Sequence, residues 1–88
     1  MLQVVSIQYC LGVMGTTKEA QYLSAFGKRV AEVRRKKGLT QEQLAEKSGL
    51  TPLTIGFIEQ GRRWPRIVTI HKIADAMKAP VDELFKGL

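Results

Sequence analysis

The sequence predicts a small all-α domain of five helices, preceded by a short apolar extension. From Tyr22 onward, apolar residues recur at spacings of three and four, which is the period of a helix with one buried face. Helix start and stop signals then divide the chain, with threonine caps, a proline at a first position and glycines after last positions. We assign residues 1–15 to the extension and residues 16–88 to the helical domain.

Composition sets the limits on function. The chain has 88 residues, enough for one small core, and 14 Lys and Arg against 8 Asp and Glu, a net charge of +6. Such a charge favours a polyanionic partner. The single cysteine, Cys10, and the single histidine, His71, form neither a disulfide nor a zinc-ligand cluster nor a catalytic pair. We expect no enzyme activity, no cofactor and no metal, and a reducing cytoplasmic setting.

The extension alternates loosely between apolar and polar residues from Leu2 to Val13. This pattern predicts either a short strand added to a partner chain or a tail upstream of a start at Met14. The segment lacks the basic region of a signal peptide and is too short to span a membrane, so we expect no membrane association.

Capping signals define the first two helices. Thr16 and Glu19 form a capping box for a first helix that ends near Lys36, before Gly38. Its inward residues are predicted to be Tyr22, Phe26, Val30 and Val33. Thr40 and Gln43 form a second capping box, and this shorter helix turns Leu44 and Ala45 inward before Ser48 and Gly49 end it.

A third helix follows the turn at Gly49. Thr51 caps it, Pro52 takes its first position, Ile55 and Ile58 give it a buried edge, and Gly61 ends it. A helix of about eight residues, a turn containing glycine and a further helix form a helix-turn-helix, in which the second helix enters a DNA groove.

A fourth helix is predicted from Ile67 to Lys78. Its inward face carries Ile67, Ile70, Ile73, Ala74 and Met77. A last helical turn after Pro80 closes the core with Val81, Leu84 and Phe85.

The segment GKRVAEVRRKKGLTQEQLAEKSGLTPLTIGFIEQGRRWP, continued by TIHKIADAMKAPVDELF, resembles the Xre and phage Cro/repressor helix-turn-helix domains. The resemblance covers residues 26–85 and rests on the block GLTQEQLAEKSGL, the spacing of Ile55 and Glu59, and the positions of Gly61 and Pro65. It implies a lambda-repressor-like fold and a sequence-specific transcriptional regulator. Such a protein binds double-stranded DNA as a homodimer, with residues 51–60 as the recognition helix in the major groove.

The resemblance also implies two sets of positioning residues. Arg34 and Glu59 would form a buried ion pair that holds the first and third helices in register. Thr40 and Gln41, at the positive end of the second helix, would bind DNA phosphate.

By the same resemblance, the base-reading positions fall on Thr51, Pro52, Leu53, Thr54 and Phe57. This set departs from the glutamine and arginine pattern common in the family, and it contains no bidentate reader. Leu53, Thr54 and Phe57 could contact thymine methyl groups, with DNA shape supplying further discrimination. The alternative is that this apolar face binds a protein.

Three arginines, Arg62, Arg63 and Arg66, cluster around Trp64 after the third helix, where family members contact phosphates or form a dimer. We interpret them as phosphate contacts, with a solvated basic loop as the alternative. Arg66 takes the place of the usual Ser or Thr cap of the fourth helix, while Trp64 could cover the core or enter a dimer interface.

The sequence allows two dimer interfaces. The dimer could form through the fourth and fifth helices or through residues 2–13. Gly56 within the third helix indicates close approach of a phosphate or of a neighbouring helix. The alternative function is an antitoxin or protein-interaction module, with a toxin as a possible partner.

Overall fold

The computed structural model describes residues 18–88, in which four α-helices are followed by a 3-10 helix. The α-helices are α1 (Lys18–Lys36), α2 (Gln41–Ser48), α3 (Pro52–Glu59) and α4 (Ile67–Ala76), and the 3-10 helix is Val81–Phe85. This described part contains no strand and no helix long and apolar enough to cross a membrane. The predicted extension, residues 1–15, and the capping residue Thr16 lie outside the described residues.

The fold class is therefore all-α, but the prediction of five α-helices needs a correction. The fifth element is a 3-10 helix, because Pro80 and Gly87 bracket a segment too short for several α-helical turns. The fourth helix ends at Ala76 rather than at Lys78, which already has a left-handed backbone with φ 54°.

Local hydrogen bonds explain why α2 and α3 begin where they do. The Thr40 hydroxyl accepts from the Gln43 amide at 3.0 Å, and the Gln43 side chain accepts from the Thr40 amide at 2.9 Å. Thr51 accepts from the Thr54 amide at 3.1 Å and precedes Pro52 at the first helical position. By contrast, Arg66 makes no side-chain cap bond to α4. Thr40 and Thr51 thus cap their helices as the sequence predicts.

All four α-helices end in the same type of turn. One residue with a left-handed backbone follows each helix, namely Gly38, Gly49, Gly61 and Lys78. The amide of the next residue then donates back to the last helical turn, which is the Schellman arrangement. After α1, α2 and α4 that next residue is apolar and packs against the core: Leu39, Leu50 and Ala79. After α3 it is Arg62.

The core lies where α1 crosses α3 and where α2 meets α3 and α4. Its largest fully buried side chains are Leu23, Phe26, Val30, Val33, Leu44, Ile55, Ile58, Ile73, Met77 and Leu84. Two inward assignments from the sequence are wrong. Tyr22 is 52% exposed and Leu23 takes its place, while Ile67 is 71% exposed because the first residue of α4 projects past the core.

Polar contacts tie α1 to the 3-10 helix. Arg29 donates to the backbone carbonyl of Glu83 at 2.8 Å and to its carboxylate at 3.1 Å. The Phe26 and Phe85 rings pack 5.1 Å apart between centroids. Phe85 therefore contributes to closing the core although part of its ring is exposed.

Two glycines allow the backbones of α1 and α3 to touch. A Cβ on Gly27 would overlap the carbonyl oxygens of Ile58 and Glu59, and a Cβ on Gly61 would lie 2.9 Å from the Cα of Ser24. The sequence had instead indicated a close approach at Gly56. A Cβ at Gly56 would meet only the Gln41 side-chain oxygen, at an ordinary 3.9 Å, so no neighbouring helix backbone lies there.

This difference predicts opposite effects for the same substitution in two helices. Gly27→Ala should lower the free energy of unfolding by about 1 to 3 kcal/mol, because backbone atoms must move apart. Gly56→Ala should raise it by about 0.5 to 1 kcal/mol, because alanine is the better helix former. Urea unfolding followed by circular dichroism measures both. Equal destabilisation by the two variants would contradict the close contact at Gly27.

Candidate nucleic-acid interface

A nearly buried ion pair joins α1 to the end of α3. Arg34 donates from Nε to Oε2 of Glu59 at 2.7 Å and from Nη2 to Oε1 at 3.2 Å. The two side chains are only 11% and 6% exposed. Two parallel bonds between guanidinium and carboxylate fix orientation as well as distance. The structure thus brings together the pair that the family resemblance implied.

The same two residues also form hydrogen bonds with α2 and with the loop before it. The third guanidinium nitrogen of Arg34 donates to the Leu39 carbonyl at 2.8 Å, and the Gln41 side-chain amide donates to Oε1 of Glu59 at 2.8 Å. The place of Gln41 in this network was not predicted from the sequence. Its side chain is committed to Glu59. Since the Thr40 hydroxyl caps the Gln43 amide, the amides of Gln41 and Glu42 are the ones in the first turn of α2 without an intrahelical partner.

The turn between α2 and α3 is tight and well bonded. The Leu50 amide donates to the Ala45 carbonyl at 2.9 Å across Gly49, whose backbone is left-handed. Ala45 is buried, and α2 contacts both α3 and α4. The amino ends of α2 and α3 are therefore held in a fixed relation.

The expected base-reading residues differ in how far their side chains are exposed to solvent. Thr51, Pro52 and Leu53 are exposed, and Leu53 retains 66% of its accessible surface. Thr54 is half-buried, and its hydroxyl accepts a hydrogen bond of 3.0 Å from the hydroxyl of Thr51. Leu53 is consequently the large apolar side chain that α3 presents outward.

Phe57 does not form an exposed pair with Leu53. It is half-buried, and the guanidinium carbon of Arg62 lies 5.7 Å from its ring centroid. That distance is within the range of a cation–π contact. From the sequence, Phe57 was expected to be a base-reading residue and Arg62 part of a separate basic loop, but the structure brings the two together.

The remaining loop arginines, Arg63 and Arg66, lie at a cavity and not on Phe57. Arg63 and Arg66 line a cavity of about 420 Å³ between α3 and α4, together with Leu50, Thr54, Ile58, Trp64, Pro65 and Thr69. Within residues 18–88, neither arginine has an ion pair or side-chain hydrogen bond. Trp64 is 48% exposed. The predicted cluster around Trp64 thus contains Arg63 and Arg66, whereas Arg62 lies on Phe57.

Two further cations border the start of α2. Lys28 and Arg35 line a groove of about 460 Å³ between α1 and α3 that also includes Gln41 and Gln60. Neither cation was singled out from the sequence. Their spacing of seven residues, which places them on one face of a helix, was the available signal.

Comparisons with known proteins identify this arrangement. A family model described as Helix-turn-helix, HTH_3, matches residues 30–84. The chain belongs to this helix-turn-helix family. The resemblance to the Xre and phage repressor-like domains is thereby confirmed, and with it membership of a family of DNA-binding transcriptional regulators.

Individual relatives are also named as helix-turn-helix regulators. The chain is 43% identical over 63 residues to the Bacillus subtilis HTH-type transcriptional regulator RghRB, covering 70% of this chain and 45% of that protein. An Archaeoglobus fulgidus HTH-type transcriptional regulator is 42% identical over 65% of this chain and 81% of its own length. The chain spans less than half of the Bacillus relative.

Among solved structures, the fold is similar to the restriction-modification controller protein C.AhdI from Aeromonas hydrophila. The TM-score is 0.70 at 44% identity, and the match covers 72% of this chain and 96% of C.AhdI. The similarity agrees with the all-helical fold described above.

The buried position of the Arg34–Glu59 pair predicts a large effect when one partner is removed. Glu59→Ala should lower the free energy of unfolding by about 3 to 5 kcal/mol, because it leaves the Arg34 charge buried without a counter-ion. The matched control is Glu32→Ala, which breaks the pair with Arg29 at a carboxylate side chain that is 62% exposed and should cost about 0 to 1 kcal/mol.

Chemical denaturation of both single variants and of an Arg34→Met, Glu59→Leu double variant measures these effects. The double variant should recover much of the stability, because it removes both charges together. Equal losses of stability for Glu59→Ala and Glu32→Ala would show that the pair is not effectively buried.

Proposed function

We propose that this chain is a sequence-specific transcriptional regulator that binds duplex DNA as a homodimer, with α3 in the major groove. The observation that carries the proposal is the exposed amino end of α3, Pro52 and Leu53 with the cap Thr51. Gln41 of α2 contacts the same helix at Glu59, and Arg63 and Arg66 line one cavity with its Thr54 and Ile58. In this arrangement α2 and α3 act as the two helices of the motif. A regulator of this kind works in the cytoplasm of a bacterial or archaeal cell.

Phosphate contacts would come from two sides of α3. The amino end of α2 at Thr40 and Gln41 offers the positive end of the helix dipole and the Gln41 amide, which has no intrahelical partner. Arg62, Arg63 and Arg66 offer cations on the other side, and the latter two have no ion-pair partner among the described residues. Such contacts supply affinity and register but no sequence information.

Base recognition would centre on Leu53. Its exposed side chain suits the methyl group of thymine, while the Thr54 hydroxyl, which accepts from that of Thr51, keeps its own hydrogen to donate to a base acceptor. The absence of a bidentate reader at these positions makes DNA shape a second source of discrimination. The similarity to a restriction-modification controller protein supports the regulatory role.

An alternative use of the same fold is protein binding, as in an antitoxin. The 66% exposure of Leu53 is the observation that favours it, because an exposed apolar side chain also suits a protein partner. The two functions separate in a selection from random duplexes. Enrichment of a site with two half-sites about one helical turn apart supports the regulator. No enrichment would favour a protein partner at Leu53.

The selected duplex then allows a test of the basic loop. Replacing Arg62, Arg63 and Arg66 together by Gln should weaken binding and lower the salt slope by about 0.9 for each phosphate that the loop no longer neutralises. The control replaces Lys18, Lys78 and Lys86 by Gln, which changes the net charge equally at sites away from the loop. Lys78, for example, lies beyond the far end of α4 from Arg66. Equal slopes for both variants would remove the loop from the interface.

The homodimer is supported by three exposed apolar side chains within five consecutive residues, Trp64, Ile67 and Val68, which are 48%, 71% and 56% exposed. Exposed apolar groups this close together favour association. We expect Ile67→Lys with Val68→Lys to shift the protein from dimer to monomer in sedimentation equilibrium without unfolding it. Deletion of residues 1–13 should leave the dimer intact. A deleted protein that is monomeric, beside a dimeric lysine variant, would assign the dimer to the extension instead.

A further inference from the structure

Arg62 occupies a position that the other helices fill with apolar residues. In the turns after α1, α2 and α4, the residue following the left-handed one is Leu39, Leu50 or Ala79, and each packs against the core. In such turns this residue usually contacts an apolar residue of the last helical turn. After α3 the residue is an exposed arginine, and the contact it makes is with Phe57.

Arg62 is held at two points by the same residue. Its backbone amide donates to the Phe57 carbonyl at 2.9 Å, and its guanidinium carbon lies 5.7 Å from the centre of the Phe57 ring. The preceding residue, Gly61, is fixed by its left-handed backbone and by the adjacent Cα of Ser24. The backbone of Arg62 is therefore fixed, and its exposed side chain lies within cation–π range of the ring.

We propose that Phe57 is a positioning residue, whose ring holds the Arg62 guanidinium at the carboxyl end of α3 for a DNA phosphate. This inference rests on the proposed function. A cation–π contact uses the face of the guanidinium or its charge, so the N–H donors at its edge stay available for phosphate oxygens. Restricting the long side chain before binding also reduces the conformational entropy that binding costs.

A Phe57 ring that holds Arg62 has a different role on α3 from that of a base reader. A ring face covered by a cation is not open to a thymine methyl group. Leu53, one helical turn earlier and 66% exposed, remains the apolar side chain available to bases. Phe57 would then affect the affinity for every duplex by a similar factor, whereas Leu53 would affect the preference at a particular base pair.

A double-mutant cycle on the full chain tests the coupling, with the duplex selected above and a scrambled duplex as probes. Phe57→Leu keeps an apolar side chain but removes the ring, and it should weaken binding to both duplexes about two- to fivefold. In an Arg62→Gln background the same change should have no further effect. The matched cycle with Arg63→Gln should be additive, because Arg63 does not lie on the ring. Phe57→Trp should restore affinity.

Nuclear magnetic resonance of the free protein gives a readout that does not depend on DNA. The ring current of Phe57 should shift the side-chain protons of Arg62 upfield, and this shift should disappear in Phe57→Leu and persist in Phe57→Trp. No upfield shift in the wild-type protein would show that the guanidinium does not lie on the ring, and would overturn the inference.

Two binding results would also overturn the inference while leaving the proposed function intact. Additive reductions in affinity for Phe57→Leu and Arg62→Gln would show that the two residues act separately, and a changed preference at one base pair in Phe57→Leu would make Phe57 a base reader. If the wild-type protein binds neither duplex, the proposed function itself fails. The ring-current shift would then report only that Arg62 lies on the ring.

Discussion

The arrangement of the three amino-terminal helices depends on the ion pair between Arg34 and Glu59. A nearly buried charge is costly unless every nearby polar group is satisfied, and here the carboxylate receives bonds from both Arg34 and Gln41 while Arg34 also binds the Leu39 carbonyl. These bonds reach α1, the loop before α2, the first residue of α2 and the last residue of α3. A shift of any one of these elements would leave a charge or an amide unpaired away from water. The network therefore specifies geometry more than it adds net stability.

That constraint explains how a helix as short as α3 can be well fixed while its outward face takes no part in the packing. Eight residues do not form a stable helix alone, so α3 depends on its buried Ile55 and Ile58 and on the backbone contact at Gly27. All of these contacts lie on the inward face or at the carboxyl end. The outward residue Leu53 adds little to the fold, and for that reason its side chain can be chosen for what it binds.

Local signals predicted the elements better than the contacts between them. Thr40 and Thr51 are visible as caps because a cap depends on residues three positions apart, and both are caps in the structure. The choice of Tyr22 over Leu23 was wrong because apolar residues at the start of α1 occupy more than one face. The role of Gly27 could not be predicted, since its neighbours Ile58 and Glu59 lie far along the chain. The family resemblance supplied Arg34 and Glu59, but the part played by Gln41 needed side-chain positions.

The basic loop after α3 contains cations with different degrees of freedom, and this difference bears on how such a domain would meet DNA. Arg63 and Arg66 have no ion pair among the described residues, so they can contribute to long-range attraction and adapt to the phosphates that they meet. Arg62 is restrained on Phe57 and on a turn that is itself packed against α1. If α3 enters the major groove as proposed, a restrained cation next to it would favour one register of the DNA backbone over its neighbours. Through Gly61 and Ser24, that register is tied to the same helix that carries Arg34, so the phosphate contact and the buried ion pair would share one rigid support.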